Sequence, residues 1–336
     1  MVEFDVYEFA PLDRARPIVA AGPWLGEVGV AMMRWAPYLR ALASAGWQVA
    51  CGGLTGHEPI YEDFAAQYWG LAQKDARLLL GSEQIYNDGV LHVRWQEGDL
   101  KAECARKGYV YPAALHREIA AAFDTRLSRL EGKFVRVVQR MGPQRRFAPP
   151  RARANDREVA RAALLSWGVD RFLMFLPRRR AVQAEARTWP IETYLEFVVR
   201  LSAVTPRWGI AILGSGPYEA DFACRVDRLR IPRTVNLIGE SLAVQLGFWQ
   251  IASMSTGPPS GGLCPSYLLG VPILHWEKPG QPALRKGQPW RTTQEPAFTA
   301  AAGVVSEWAL VGDDFSGGAD LIARLQRAHD LACRHV

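Results

Sequence analysis

The 336-residue sequence predicts an α/β protein of two Rossmann-like domains with parallel sheets facing across a cleft. Three observations carry that expectation. Apolar runs of strand length alternate with amphipathic runs of helix length, the length is comfortable for two domains, and a basic, proline-bearing stretch separates two such series. The domains are expected at 1–145 and 161–336, with a linker over 146–160.

In the first half, "PIVAAGP" reads as a buried strand, followed by a helix from Val30 to Ala45 that stops at Gly46. The strand "WQVACGGL" follows, and "GVLHVRW" is a further strand candidate. From Lys133 to Arg157 the chain reads "KFVRVVQRMGPQRRFAPPRARANDR", basic throughout with Asp156 as its one acid. This composition suits a solvated connector. It also suits a strip that meets a polyanion, through arginines such as Arg145, Arg146, Arg151 and Arg153.

Beyond the linker, "REVARAALLSWG" reads as a helix stopped by Gly168, then "RFLMFLPR" as a strand and "PIETYLEFVVRLSAV" as a helix. The strand "WGIAILGSG", the helix "YEADFACRVDRL", the strand "TVNLIG", the helix "LAVQLGFWQIAS" and the strand "VPILHW" complete the series. In open α/β sheets ligands bind outside the carboxyl ends of the strands, so chemistry is expected in the turns that follow them.

Composition excludes several classes. With 49% apolar and 22% charged residues the chain suits a globular protein with a full core. No apolar run approaches the roughly 20 residues that span a bilayer, and the opening "MVEFDVYEFAPLDRARP" lacks a basic-then-apolar leader pattern, which points to the cytoplasm without stable membrane insertion. Five scattered cysteines without C-x-x-C spacing read as ordinary buried thiols. No metal site is expected: there is no D-x-D, "GDD" at Gly312–Asp314 reads as a loop, and the six histidines show no ligand spacing. His275 follows a strand but stands alone and reads as structural. Nothing in the sequence sets the oligomeric state.

Two turns carry chemistry. "LGSGPYEAD" puts Gly214, Ser215 and Gly216 between a strand and a helix, where absent side chains let a ligand approach backbone N–H groups. "STGPPSGGLCPSYLLGVP" supplies a small, hydroxyl-rich loop through Thr256, Gly257, Ser260, Gly261 and Gly262, suited to a diphosphate or equally to a turn in which Ser260 caps a helix.

Taken in order, "FLPRRR", "RTWP", "ILGSGPYE", "NLIGE", "STGPPSGG" and "LLGVPIL" resemble the C-terminal domain of the ADP-heptose-type lipopolysaccharide heptosyltransferases over roughly residues 170–276. These are glycosyltransferases of GT-B architecture. The resemblance implies a nucleotide-sugar co-substrate and no cofactor. It implies donor contacts from Arg178, from Arg187 ahead of Trp189-Pro190, from Glu219, and from the diphosphate loop. Ser255 and Ser260 stand where that family has an acid and a histidine, which leaves ADP-heptose as the donor in question.

The family opens with a strand, a Gly-Asp-Val turn and a helix, and its aspartate is thought to be the general base. "LGEVGVAMMRWAPYL" resembles that element with Glu27 in the base position. An inverting transfer needs one group to take the acceptor's proton and cations to stabilise the departing diphosphate. An acid in a helix's first turn also suits the helix dipole. Trp24 and Arg34 are expected to line the acceptor site. The basic linker and a likeness of "GPWLGEVG…MRWAPYL" to tailed-phage proteins make a hydroxymethylated pyrimidine in double-stranded DNA the first expected acceptor. The alternatives are a lipopolysaccharide-type glycan, or a non-transferring sugar-nucleotide epimerase or binding module of the same fold.

Overall fold

Continuous apolar strands must be covered on both faces, and the computed structural model covers them with helices. It describes residues 2–26, 28–72, 97–137, 150–178, 187–214, 217–281, 284–285, 288–289 and 304–334. The chain divides into two compact units, 1–151 and 152–336. The helix read from Arg157 begins at Ala154, inside the expected linker, and belongs to the second unit. Arg145, Arg146 and the candidate strand "GVLHVRW" lie outside the described residues.

The first unit holds β1 (Phe4–Glu8), β2 (Ile18–Trp24), β3 (Gln48–Leu54), β4 (Gln67–Leu71) and β5 (Phe134–Val137) in the order β1-β4-β3-β2-β5. β1 runs antiparallel to β4 at the edge, so this sheet is mixed rather than wholly parallel; the other pairs are parallel. The helix expected over 30–45 is three pieces: α1 (Val28–Val30), a π-helical turn (Ala31–Trp35) and α2 (Ala36–Ser44). The Ala36 N–H bonds the Ala31 carbonyl, five residues back. Pro37 has no N–H to give and crowds the preceding turn, which accounts for the wider turn at that point. α3 (Glu97–Lys107) and α4 (Ala113–Ser128) contribute Leu100, Ile119, Phe123 and Leu127 to a core with Ile18, Ala20, Ala50 and Trp69.

The second unit is built on β6 (Arg171–Phe175), β7 (Trp208–Ile212), β8 (Thr234–Asn236), β9 (Ala252–Gly257), β10 (Ile273–Glu277) and β13 (Ser306–Leu310). β11 (Leu284–Arg285) and β12 (Gln288–Pro289) pair antiparallel apart from it. The six strands run β13-β10-β9-β6-β7-β8, every neighbour parallel. α5 (Ala154–Trp167), α6 (Ile191–Val204), α7 (Pro217–Arg228), α8 (Leu242–Trp249), α9 (Cys264–Leu269) and α10 (Gly318–Arg334) make the crossovers and flanks. Gly168 ends α5 in the left-handed conformation, as its position in the sequence implies.

One expected helix ends early. α8 stops at Trp249, and Ala252–Gly257 is β9, an inner strand between β10 and β6. The thiols also differ from expectation, since Cys51, Cys104 and Cys264 are buried but Cys224 is exposed. No helix among the described residues is long and apolar enough to cross a membrane.

α5 and α8 meet backbone to backbone at Gly247, where a Cβ would lie 2.3 Å from the Asp156 carbonyl oxygen. Backbone cannot move aside as a side-chain tip can. Gly247→Ala is therefore expected to destabilise the second unit by about 1–3 kcal/mol, read as a lowered urea midpoint. An unchanged midpoint would mean that the two helices separate at little cost.

Candidate functional site

The carboxyl edge of the second sheet gathers most of the residues singled out above. β6 ends at Phe175 and continues through Leu176 and Pro177 to Arg178, with the Leu176 N–H on the Thr256 carbonyl at 3.1 Å. Arg178 is held by both its backbone and its side chain. The Tyr194 hydroxyl donates to its carbonyl at 2.9 Å, and its Nη1 donates to the Ser260 Oγ, 82 residues away in sequence.

Ser260 begins a 3₁₀ turn formed by Gly261, Gly262 and Leu263, and its Oγ also accepts the Gly262 N–H at 3.2 Å. A hydroxyl that accepts twice has its own proton to donate. Ser260 is thereby oriented as a donor, the form that suits a phosphate oxygen. The turn is brought against β6 by two glycines. A Cβ at Gly257 would lie 2.6 Å from the Leu176 carbonyl oxygen, and one at Gly262 would lie 3.0 Å from Leu176 Cδ2.

A second pair forms after β7. Glu219, in the first turn of α7, is buried, and a Cβ at Gly214 would lie 2.5 Å from both its Cβ and its Cγ. Gly214 thus lets the stem of Glu219 lie against the turn. Ser215 and Gly216, between them, lie outside the described residues.

Arg187 is buried two positions ahead of Trp189, whose indole is fixed from several sides. Its Nε1 donates to the Val311 carbonyl at 2.8 Å, and its carbonyl accepts the Tyr218 hydroxyl at 2.7 Å. The Lys278 ammonium lies 5.5 Å from its ring centroid and pairs with Asp313 at 2.7 Å. Tyr194, Tyr218 and Lys278 escaped the sequence reading, and Asp313 was read only as part of a loop. The aromatic pair resembles ordinary core residues, whereas the charges in "WEKP" directly after an apolar strand are a signal that was there to be used.

Several expected residues are placed otherwise. Thr256 is wholly buried, its hydroxyl donating to the Leu274 carbonyl at 2.7 Å and accepting the Trp276 Nε1–H at 2.9 Å. It stitches β9 to β10 and is not presented to a ligand. Ser255 is also interior, 2.7 Å from Ser266 Oγ, so a neutral hydroxyl pair occupies a position where a carboxylate would be costly without a cation. Of the two departures from the family pattern, Ser260 alone lies at the carboxyl edge.

In the first unit, Trp24 does not offer a ring to a sugar. It has no exposed surface and stacks on Trp35, centroids 5.8 Å apart. Arg34, in the π-helical turn, is half-buried, and burial lowers its pKa. Glu27 lies outside the described residues.

No family model matches the chain and no curated protein matches it. Solved structures do. E. coli ADP-heptose lps heptosyltransferase II superposes with a TM-score of 0.50 at 12% identity, over 94% of this chain and 98% of that one. The chain has the GT-B fold. E. coli heptosyltransferase WaaC with ADP is also similar, at a TM-score of 0.48 and 12% identity over 93% and 99% of the two chains. A glycosyl transferase family 9 structure from Veillonella parvula DSM 2008 gives 0.47 and 14% over 79% and 82%. The GT-B likeness is one of fold.

Two outcomes follow from the buried groups. Thr256→Val leaves the Trp276 indole N–H without its partner, and is expected to cost about 1–3 kcal/mol of stability while leaving nucleoside diphosphate affinity unchanged. Thermal unfolding beside calorimetric titration checks this, and weakened affinity in a folded variant would return Thr256 to the site.

His275 is fully buried, its Nε2 2.8 Å from the Tyr267 hydroxyl and its ring 4.7 Å from that of Trp308. Burial lowers its pKa to about 3. The unfolded chain takes up a proton near pH 6.5 that the folded form refuses, so this stability is complete above about pH 6.5 and falls with acidification toward the folded value. His275→Gln should flatten the dependence of unfolding free energy on pH between about pH 6 and 4 by about one proton. Identical slopes would show that His275 takes up its proton in the folded state.

Proposed function

We propose that the chain is an inverting, metal-independent glycosyltransferase that moves a sugar from a nucleotide-sugar donor to a hydroxyl of a glycan acceptor. The observation that carries this reading is the Arg178–Ser260 pair, built at the carboxyl edge of a GT-B second unit whose sheet is parallel throughout. A guanidinium oriented by a hydroxyl, with that hydroxyl itself set to donate, supplies charge and direction for a departing diphosphate.

In the proposed reaction Glu27 takes the proton of the acceptor hydroxyl as its oxygen bonds to the anomeric carbon. The bond from that carbon to the diphosphate oxygen breaks, and the electron pair leaves with the nucleoside diphosphate. Arg178, Arg187 and the Ser260 turn, with Gly261 and Gly262, meet the developing negative charge. Glu219 beside Gly214 contacts the nucleoside. The acceptor is held by the first unit, with Arg34 rather than the enclosed Trp24 among its contacts.

A lipopolysaccharide-type glycan is the acceptor we favour. The GT-B structure that superposes at 0.50 is an lps heptosyltransferase, whereas the expectation of hydroxymethylated DNA rested on the basic linker and a likeness to tailed-phage proteins.

A nucleotide-release screen of common sugar nucleotides against lipid A-core glycan, hydroxymethylated DNA and plain DNA tests the reading. Release is expected with the glycan. Release with hydroxymethylated DNA alone would assign the DNA acceptor, and donor binding without release would assign a non-transferring protein. Within the same assay Glu27→Gln should lower transfer by about 10²- to 10⁴-fold with donor affinity kept. Arg187→Ala should weaken nucleoside diphosphate binding by about 1.5–3 kcal/mol. Full transfer by the Glu27 variant would remove it as the base.

A further inference from the structure

The position of Tyr194 is unusual for what it contains. Its ring has no exposed surface and is enclosed by Phe175, Trp276, Phe222 and Tyr218, with centroids at 5.8, 5.3, 6.1 and 6.3 Å. Such a site is filled equally well by phenylalanine, which carries no polar atom to desolvate. The hydroxyl nevertheless donates a well-made bond to the carbonyl of Arg178, and the backbone of Trp189 also lies within its reach. Arg178 follows β6 as loop rather than strand, so the regular parallel ladder no longer fixes its backbone. Tyr194 itself stands in the first turn of α6, whose packing into the core is extensive. The bond therefore ties the loop that bears the guanidinium to a helix packed into the core of the unit.

We infer that Tyr194 is a positioning residue for the donor diphosphate: its phenol fixes the Arg178 backbone so that the guanidinium reaches Ser260 and the phosphate in one geometry. This rests on the reading of the Arg178–Ser260 pair as the diphosphate site. A guanidinium on a long, rotatable stem loses less freedom on binding when its backbone is already fixed, so the phenol acts on affinity without touching the ligand.

The test is a double-mutant cycle with Tyr194→Phe, Arg178→Ala and the two combined, titrated calorimetrically with ADP, UDP and inorganic diphosphate. Tyr194→Phe keeps every ring contact and should weaken binding of whichever probes the parent binds by about three- to tenfold. In the Arg178→Ala background the same change should have no effect, because nothing remains for the phenol to position. Tyr218→Phe, which frees the Trp189 carbonyl instead, should combine additively with Arg178→Ala. A Tyr194→Phe loss that persists undiminished beside Arg178→Ala, or no loss at all, overturns the inference while leaving the diphosphate site standing. Failure of Tyr194→Phe to fold also counts against it, since the hydroxyl would then serve the core. Absence of binding of all three probes to the parent overturns the site, and this inference with it.

Discussion

A sheet whose neighbours are all parallel cannot be joined by hairpins, so the strands of the six-stranded sheet in the second unit need crossover connections. That constraint governs much of what the unit does. Helices cover β6 and β9, so the interior polar side chains of β9 must find partners within the protein, in the sheet or in the helix beside it. Thr256 bonding Leu274 and Trp276 is the direct result. The loops that leave the strands converge on one edge, which brings Arg178 to Ser260 across a separation that no local motif spans.

Around that edge the structure holds its cations by neighbours rather than by depth alone. The Arg178 carbonyl takes a phenol and its side chain a serine hydroxyl. The segment ahead of α6 is fixed through Trp189 and its partners Val311 and Tyr218, while Thr193 donates to the carbonyl of Asp313, whose carboxylate holds Lys278. Rigid placement of positive charge favours a charged leaving group because little reorganisation is needed as the bond breaks. The first unit differs in kind. Its sheet carries an antiparallel edge strand, and Trp24, Trp35 and Tyr38 stack in series within it.

How much of this was legible in the sequence depended on whether local pattern and tertiary role agreed. "RFLMF" is apolar throughout and became a buried strand, and Gly168 closes α5 in the conformation that glycine favours. Ala252–Gly257 misled because Ala-Ser-Met-Ser-Thr-Gly has few of the bulky residues that favour strands; its place inside the sheet comes from neighbours that cover it and accept its hydroxyls. "FDVYE" drew no strand reading, because as an edge strand it has mostly exposed side chains beside the buried Phe4. Among the candidate site residues, the placement of Gly214 and Glu219 on either side of one turn was legible because strand, turn and helix are contiguous there. The Arg178–Ser260 and Tyr194–Arg178 bonds were not, since each depends on which strands become neighbours. Trp24 was misplaced because a tryptophan beside a candidate base says nothing of whether its ring faces inward.

The central claim is that the carboxyl edge of the second sheet is where a nucleoside diphosphate binds. Hydrogen exchange, followed by mass spectrometry with and without saturating nucleoside diphosphate or sugar nucleotide, tests it without presuming a donor or an acceptor. Slowed exchange confined mainly to residues 176–178, 217–220 and 257–263 is the predicted result. Slowed exchange only in the first unit, or an unchanged pattern across that edge under conditions where binding is independently measured, would contradict it.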